Sequence, residues 1–305
     1  MKIKMRLLNI VTGILILIFA GSCSGDKSKK VEENIVDEDN EKITQLRENI
    51  YKAKQVFYSL PSPIETAMLI KRCGVNYDEK ILNPLSNHSK YLSTHKKALN
   101  FGIYSADLSY ASIFEQTQTA IQYMAAAKNL ANELGILNAI DETIIRRLES
   151  NITNRDSILD IITESFLNSD TYLKEQGRAE TAAVILAGGW IEGLYIAVKS
   201  SQKYKQNDDL VDRIIDQKIS LRSLQQLLES YKDNPMAAKV LADVKRIGQV
   251  YENFDVVYSH IETLTDPDDR NTVLKARTEV FKSANALKTL SQVTDSIRSA
   301  YISID

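Results

Sequence analysis

Thr-Ala-Ala-Val-Ile-Leu-Ala-Gly-Gly-Trp-Ile-Glu-Gly-Leu-Tyr-Ile-Ala-Val (181–198) carries a single charge, Glu192, along its whole length. A helix that is apolar on every side is buried on every side, in a protein core or in a membrane. The flanking Arg178, Glu180, Lys199 and Lys203 are compatible with either setting. A carboxylate at mid-membrane costs about 3 kcal/mol even on lenient scales. A span here would also place the two amphipathic halves of the chain on opposite sides of the bilayer. The stretch therefore reads as the central core helix of a helical protein, near 178–203. Ala187, Gly188, Gly189 and Gly193 are the small residues expected to let a neighbouring helix come close, despite their poor helix propensity.

A second stretch has the same character. Phe-Gly-Ile-Tyr-Ser-Ala-Asp-Leu-Ser-Tyr-Ala-Ser-Ile-Phe (101–114) also holds one charge, Asp107. Both stretches place a tyrosine three residues after the acid: Asp107 with Tyr110, and Glu192 with Tyr195. Positions three apart share a helix face, so each acid and phenol are expected to line one groove. Asp255 and Tyr258 repeat the spacing in a later expected helix, as do Glu48 and Tyr51 near the N-terminus. The pattern is common by chance, and its informative part is the setting. A lone carboxylate in apolar surroundings is paired, hydrogen-bonded or protonated. The first reading of Asp107 and Glu192 is structural, with a tyrosine, an arginine or a helix start as partner. The alternative is a polar core pocket in which Asp107 and Glu192, with Tyr110 and Tyr195, bind a cationic or hydroxylated ligand, or a metal ion.

The rest of the chain supports an all-α fold. Apolar residues recur at spacings of three and four, most visibly at Val273, Ala276, Val280, Ala284, Leu287, Leu290, Val293, Ile297 and Tyr301. Alternating runs bounded by turn dipeptides are nearly absent. The punctuation predicts helices near 41–58, 63–73, 88–114, 115–134, 141–152, 156–176, 178–203, 208–231, 235–264 and 268–302, with 88–134 either one bent helix or two. Ser62-Pro63-Ile64-Glu65 and Asp266-Pro267 read as helix starts. Gly74, Gly135 and Gly177 stand where helices end. Short links make neighbours antiparallel, giving a helical bundle or stacked helical hairpins. No fixed repeat period emerges.

Composition narrows the chemistry. Excluding the first 22 residues, 35 basic and 40 acidic side chains leave a net charge near −5. Interspersed charge of this kind has no footprint for nucleic acid. Cys23 and Cys73 are the only cysteines, and His88, His95 and His260 are widely spread. No zinc-type spacing, cofactor fingerprint or nucleophile elbow is present, so no metal ligand, cofactor or catalytic residue is assigned. Cys73 follows Lys71-Arg72 and reads as a structural thiol.

The N-terminus speaks of location. Lys2, Lys4 and Arg6 precede an apolar run from Leu7 to Phe19, and Ala20-Gly21-Ser22 lead into Cys23. This layout resembles the type II signal peptide and lipobox of bacterial lipoproteins. The resemblance implies a signal peptide over 1–22, removal of that segment, and palmitate-type acylation of Cys23. Acyl chains contribute roughly 0.8 kcal/mol per buried methylene, so two or more hold a protein on a membrane. Residues 23–40 then form a charged tether, and 41–305 a single all-helical domain. The segments Tyr-Ser-Leu-Pro-Ser-Pro-Ile-Glu (58–65) and Gly-Gly-Trp-Ile-Glu-Gly-Leu-Tyr (188–195) resemble a helical lipoprotein family of the Bacteroidota, which implies a source and no activity. The expected location is the cell envelope, at the outer membrane, on its periplasmic or its surface face. In that phylum an acidic cluster beside the cysteine resembles a surface-export signal, and here only Asp26 lies that close.

These features favour a non-catalytic, envelope-tethered binding or scaffold module whose partner is a protein or a small molecule. An enzyme or small-ligand receptor built on Asp107 and Glu192 is the first alternative. An assembly protein that pairs through its long C-terminal helix is the second.

Overall fold

The computed structural model describes residue 67 and residues 70–304, apart from short stretches at 141, 152–153, 204–207, 259–261, 267–270, 276–277 and 282–283. Cys23, the signal peptide over 1–22, the tether over 23–40, the helix expected over 41–58 and the helix start at Ser62 lie outside the described residues. All described residues belong to the unit Arg47–Asp305.

The protein is all-α, built of antiparallel helices around one apolar centre. The helices are α1 (Thr94–Ile113), α2 (Thr117–Glu133), α3 (Glu142–Ser150), α4 (Arg155–Glu175), α5 (Ala179–Lys203), α6 (Asp208–Glu229), α7 (Pro235–Tyr251) and α8 (Ala284–Ile302). Helix α5 is the central one, packing against α1, α4, α6, α7 and α8. Among the described residues it alone is long and apolar enough to cross a membrane, yet 89% of its most apolar window is buried inside the protein. Desolvation by its own neighbours satisfies it, as expected for a core helix.

The helix ends follow from local chemistry. Asn234 caps α7, accepting from the amides of Met236 (2.9 Å) and Ala237 (3.4 Å), with Pro235 in the first turn. Gly135 and Gly177 have φ of +70° and +67°, the left-handed conformation that closes a helix. At the first, Ile136 N–H reaches back to Ala131 O and Gly135 N–H to Asn132 O, at 2.9 and 3.0 Å. The stretch 88–134 proves to be two helices, because Glu115 takes the same left-handed conformation (φ +59°) between α1 and α2.

The closest packing is between α1 and α5. A Cβ on Gly102 would strike the Ile185 carbonyl and lie 2.7 Å from Gly189 N. A Cβ on Gly188 would strike the Leu99 carbonyl oxygen and lie 2.9 Å from its carbon. The expectation for Gly188 and Gly189 therefore holds. Gly193 differs, because nothing lies within 4 Å of a Cβ built on it.

Two expected segments are not helical. Residues 75–93 form a loop with short 3-10 turns at Glu79–Ile81 and Leu85–Lys90, so α1 begins at Thr94 and not near 88. Between α7 and α8 the chain forms short strands: β1 (Asp255–Tyr258), β2 (Glu262–Asp266), β3 (Asn271–Lys275) and β4 (Thr278–Phe281). They pair antiparallel, β1 with β4 and β2 with β3, in registers that nest one ladder within the other. The helices expected over 235–264 and 268–302 are thus shortened to α7 and α8. Asp266 ends a strand and does not begin a helix. The segment is rich in Val and Thr, residues that suit a pleated ladder. The spacing of Val273 and Val280 matched a helix only by coincidence, and Ala276 lies outside the described residues. The helical spacing of Asp255 and Tyr258 falls with it.

Candidate functional site

The two acids singled out by the sequence meet in the core, at the level where α1, α5 and α8 enclose the 75–93 loop. Asp107 comes from α1 and Glu192 from α5, and each has 0% exposure. The partner of Glu192 is Arg298 from α8. The guanidinium grips the carboxylate with two bonds, Nε to Oε2 at 3.0 Å and Nη2 to Oε1 at 2.9 Å. Nη2 also donates to Ile81 O at 3.0 Å, and the guanidinium lies over the Tyr195 ring, 4.4 Å from its centroid. This fork is the geometry by which arginine recognises carboxylates. Burial works against the charge of Arg298, but the adjoining Glu192 carboxylate outweighs it and holds the guanidinium above its ordinary pKa.

Asp107 is placed differently. Its Oδ2 accepts from the Asn83 amide at 3.1 Å. Its Oδ1 meets no donor among the described residues while its carboxyl lies within hydrogen-bonding reach of Glu192. Two carboxylates cannot bond to each other without a proton between them. Burial, and then the neighbouring Glu192 charge, raise the Asp107 pKa well above the carboxylate range. The neutral form of Asp107 is accordingly favoured beside the Glu192 carboxylate that Arg298 already holds. One cation thus faces one net anion in the dry interior.

The loop is the reason for this knot. Irregular backbone buried away from water needs partners for each N–H and C=O. Asn83, with 0% exposure, supplies a hub. Its amide donates to Asp107, its carbonyl accepts from Tyr123 Oη at 2.9 Å, and its side-chain Nδ2 donates to Tyr91 Oη (3.0 Å) and Asn100 Oδ1 (2.9 Å). Tyr104 Oη donates to Pro84 O at 2.9 Å. With the Arg298 bond to Ile81, side chains of α1, α2 and α8 engage Ile81 O, Asn83 N and O, and Pro84 O. The same network secures the end of α8. Asn100 Nδ2 donates to Tyr301 O at 3.1 Å, and Lys96 Nζ donates to Ala300 O at 2.7 Å and Ser303 O at 2.8 Å. A cation on orphan carbonyls suits the negative end of a helix dipole.

The structure therefore gathers Asp107, Glu192 and Tyr195 around Arg298 and leaves Tyr110 apart. Tyr110 Oη accepts from Asp78 N at 3.3 Å, and its ring stacks on Tyr77 with centroids 5.3 Å apart. Burial pushes its phenol up to about 12. Arg298, Asn83 and Asn100 were missed by sequence reasoning. Arg298 sits beside an apolar stripe and looks like its solvated flank, while Asn83 precedes a proline and reads as an ordinary turn. Cys73 is half-buried.

Chemically, a carboxyl with a raised pKa beside a carboxylate is the composition of an acid–base site. Such catalysis requires the pair to reach a substrate proton, directly or through one water. Both side chains have no solvent-accessible surface, and their bonding is directed at the loop and at Arg298. Among the described residues, no three His, Cys, Asp or Glu side chains come together in a group able to hold a metal ion. No family model matches the chain, and neither a curated protein nor a solved structure shows similarity to it.

Proposed function

We propose that the protein is a non-catalytic binding or scaffold module held at the bacterial cell envelope by lipid on Cys23. One observation carries the non-catalytic part. The acids best suited to chemistry, Asp107 and Glu192, are fully buried, Asp107 bonded to the Asn83 amide and Glu192 to Arg298. Their work is to hold a loop and three helices together, leaving the surface as the place of interaction. The apolar stripe of α8 favours this reading over assembly through the C-terminal helix, since Ala286, Leu290, Ile297 and Tyr301 are buried within the chain. The anchor is supported by the charged start, the apolar run and the small residues before Cys23.

Metabolic labelling with an alkyne fatty acid tests the anchor. The full chain should carry label and sediment with membranes, whereas Cys23→Ala should be unlabelled and soluble. Label on that variant, or none on the wild type, would overturn the lipoprotein reading. Asp107→Asn tests the rest: it should keep any ligand or partner that the wild type binds. Loss of binding with the helical circular dichroism intact would return the site to the core.

A further inference from the structure

The antiparallel seam between α6 and α7 carries a groove of about 290 Å³. Its lining includes Lys218 and Arg222 on one wall, Lys245 and Gln249 on the other, and Leu221 and Tyr251 below. Glu252 is the only acid in that lining, against three cations.

The seam is closed at both ends and open in the middle. At one end Lys218 Nζ lies 3.3 Å from Glu252 Oε2 and donates to Tyr251 O at 3.3 Å. At the other, Lys245 Nζ lies 2.9 Å from Glu229 Oε2. Midway the α7 wall is Gly248, which has no side chain. The Gln225 amide borders it, with Nε2 2.5 Å from where a Cβ would stand. Arg222 faces this gap from α6. Its guanidinium is exposed and makes no ion pair or hydrogen bond among the described residues. The groove thus joins an unengaged planar fork and two side-chain amides beside a position without a side chain. A guanidinium fork recognises the paired oxygens of a carboxylate or phosphate. The volume is at the small end of ligand sites.

We infer that the α6–α7 groove is an anion site, in which Arg222 takes the oxyanion of a small carboxylated or phosphorylated ligand seated over Gly248. The inference gives the binding-module reading a place and a ligand class, and rests on that reading only for its biological use. Lys218 and Lys245, each already engaged by an acid, add positive potential at the two ends.

Calorimetry on the full chain in detergent, at low salt, with phenyl phosphate and benzoate as separate probes, tests it. At least one probe should bind saturably, which also tells phosphate from carboxylate. Arg222→Gln should weaken binding about tenfold or more, the loss of a charge-assisted fork. Gly248→Leu should do the same by filling the gap with the arginine in place. Lys128→Gln removes one positive charge from an exposed position on α2 and should leave the affinity unchanged. Saturable binding of neither probe, or equal weakening by Lys128→Gln, overturns the site. Either failure leaves the fatty-acid labelling and fractionation of the wild type untouched, so the anchor reading stands or falls separately.

Discussion

Two seams of this protein contain an arginine and a glycine, and they use them in opposite ways. At the inner seam, α1 against α5 with α8 alongside, Gly188 meets the backbone of Leu99, and Arg298 is locked on Glu192. At the outer seam, α6 against α7, Gly248 meets only the end of a glutamine, and Arg222 has no acid among the described residues. The difference is one of dielectric and of what can move. In a dry interior an unpaired charge costs several kcal/mol, so every charge there is matched and every gap is filled. At a wet surface an unmatched arginine costs little, and so it is available to something else.

The largest break in this comparison comes from Glu192→Gln. It leaves Arg298 charged and buried without its counter-charge, which should cost about 3–5 kcal/mol in chemical denaturation. A loss under about 1 kcal/mol would mean that water reaches the knot. Next comes Gly188→Ala, where the new methyl meets backbone and α1 must separate from α5. The expected cost is about 2 kcal/mol, read as a lowered melting temperature.

Asp107→Asn sharpens the proton assignment. The folded pKa of Asp107 is raised, so the native state holds a proton that the unfolded chain releases. That contribution is fully present below the ordinary aspartate pKa and is lost as pH rises toward the folded value. Asparagine keeps an acceptor for the Asn83 amide and stays neutral at every pH. The difference in stability between variant and wild type should therefore move in the variant's favour as pH rises above the ordinary aspartate pKa. A flat difference would place the proton elsewhere. The smallest effects belong to the outer seam. Arg222→Gln and Gly248→Ala should each change stability by no more than about 0.5 kcal/mol, as is usual for surface positions. A cost at Gly248→Ala as large as that at Gly188→Ala would erase the distinction between the seams.

Much of the fold was legible because it rests on local rules. The burial of α5 followed from a stretch with one charge, and the helix ends at Gly135 and Gly177 followed from the need for a left-handed residue. The region 255–281 was misread because its apolar positions satisfy a spacing of three or four as well as a strand ladder. Only pairing between distant segments, such as Val256 with Val280, separates the two. At the site, the oddity of Asp107 and Glu192 was visible in sequence. Their partners were not: Arg298 lies 106 residues from Glu192, and Asn83 lies 24 from Asp107. Nothing local marks a residue whose role is to meet another across the core. Tyr110 shows the limit of the spacing argument, since sharing a helix face with Asp107 did not bring it to the same partner.

By itself, then, the sequence determined the class of fold, the identity of the central helix and the two positions where charge enters apolar surroundings. These depend on hydrophobic periodicity and on propensities that act within a few residues. Tertiary structure alone decided which acid keeps its proton, which cation answers it and which loop they hold. It likewise decided that one glycine touches backbone and another only a side chain. Those outcomes depend on the distances between groups far apart in the chain, and on the low dielectric that exists only once the helices have closed over them.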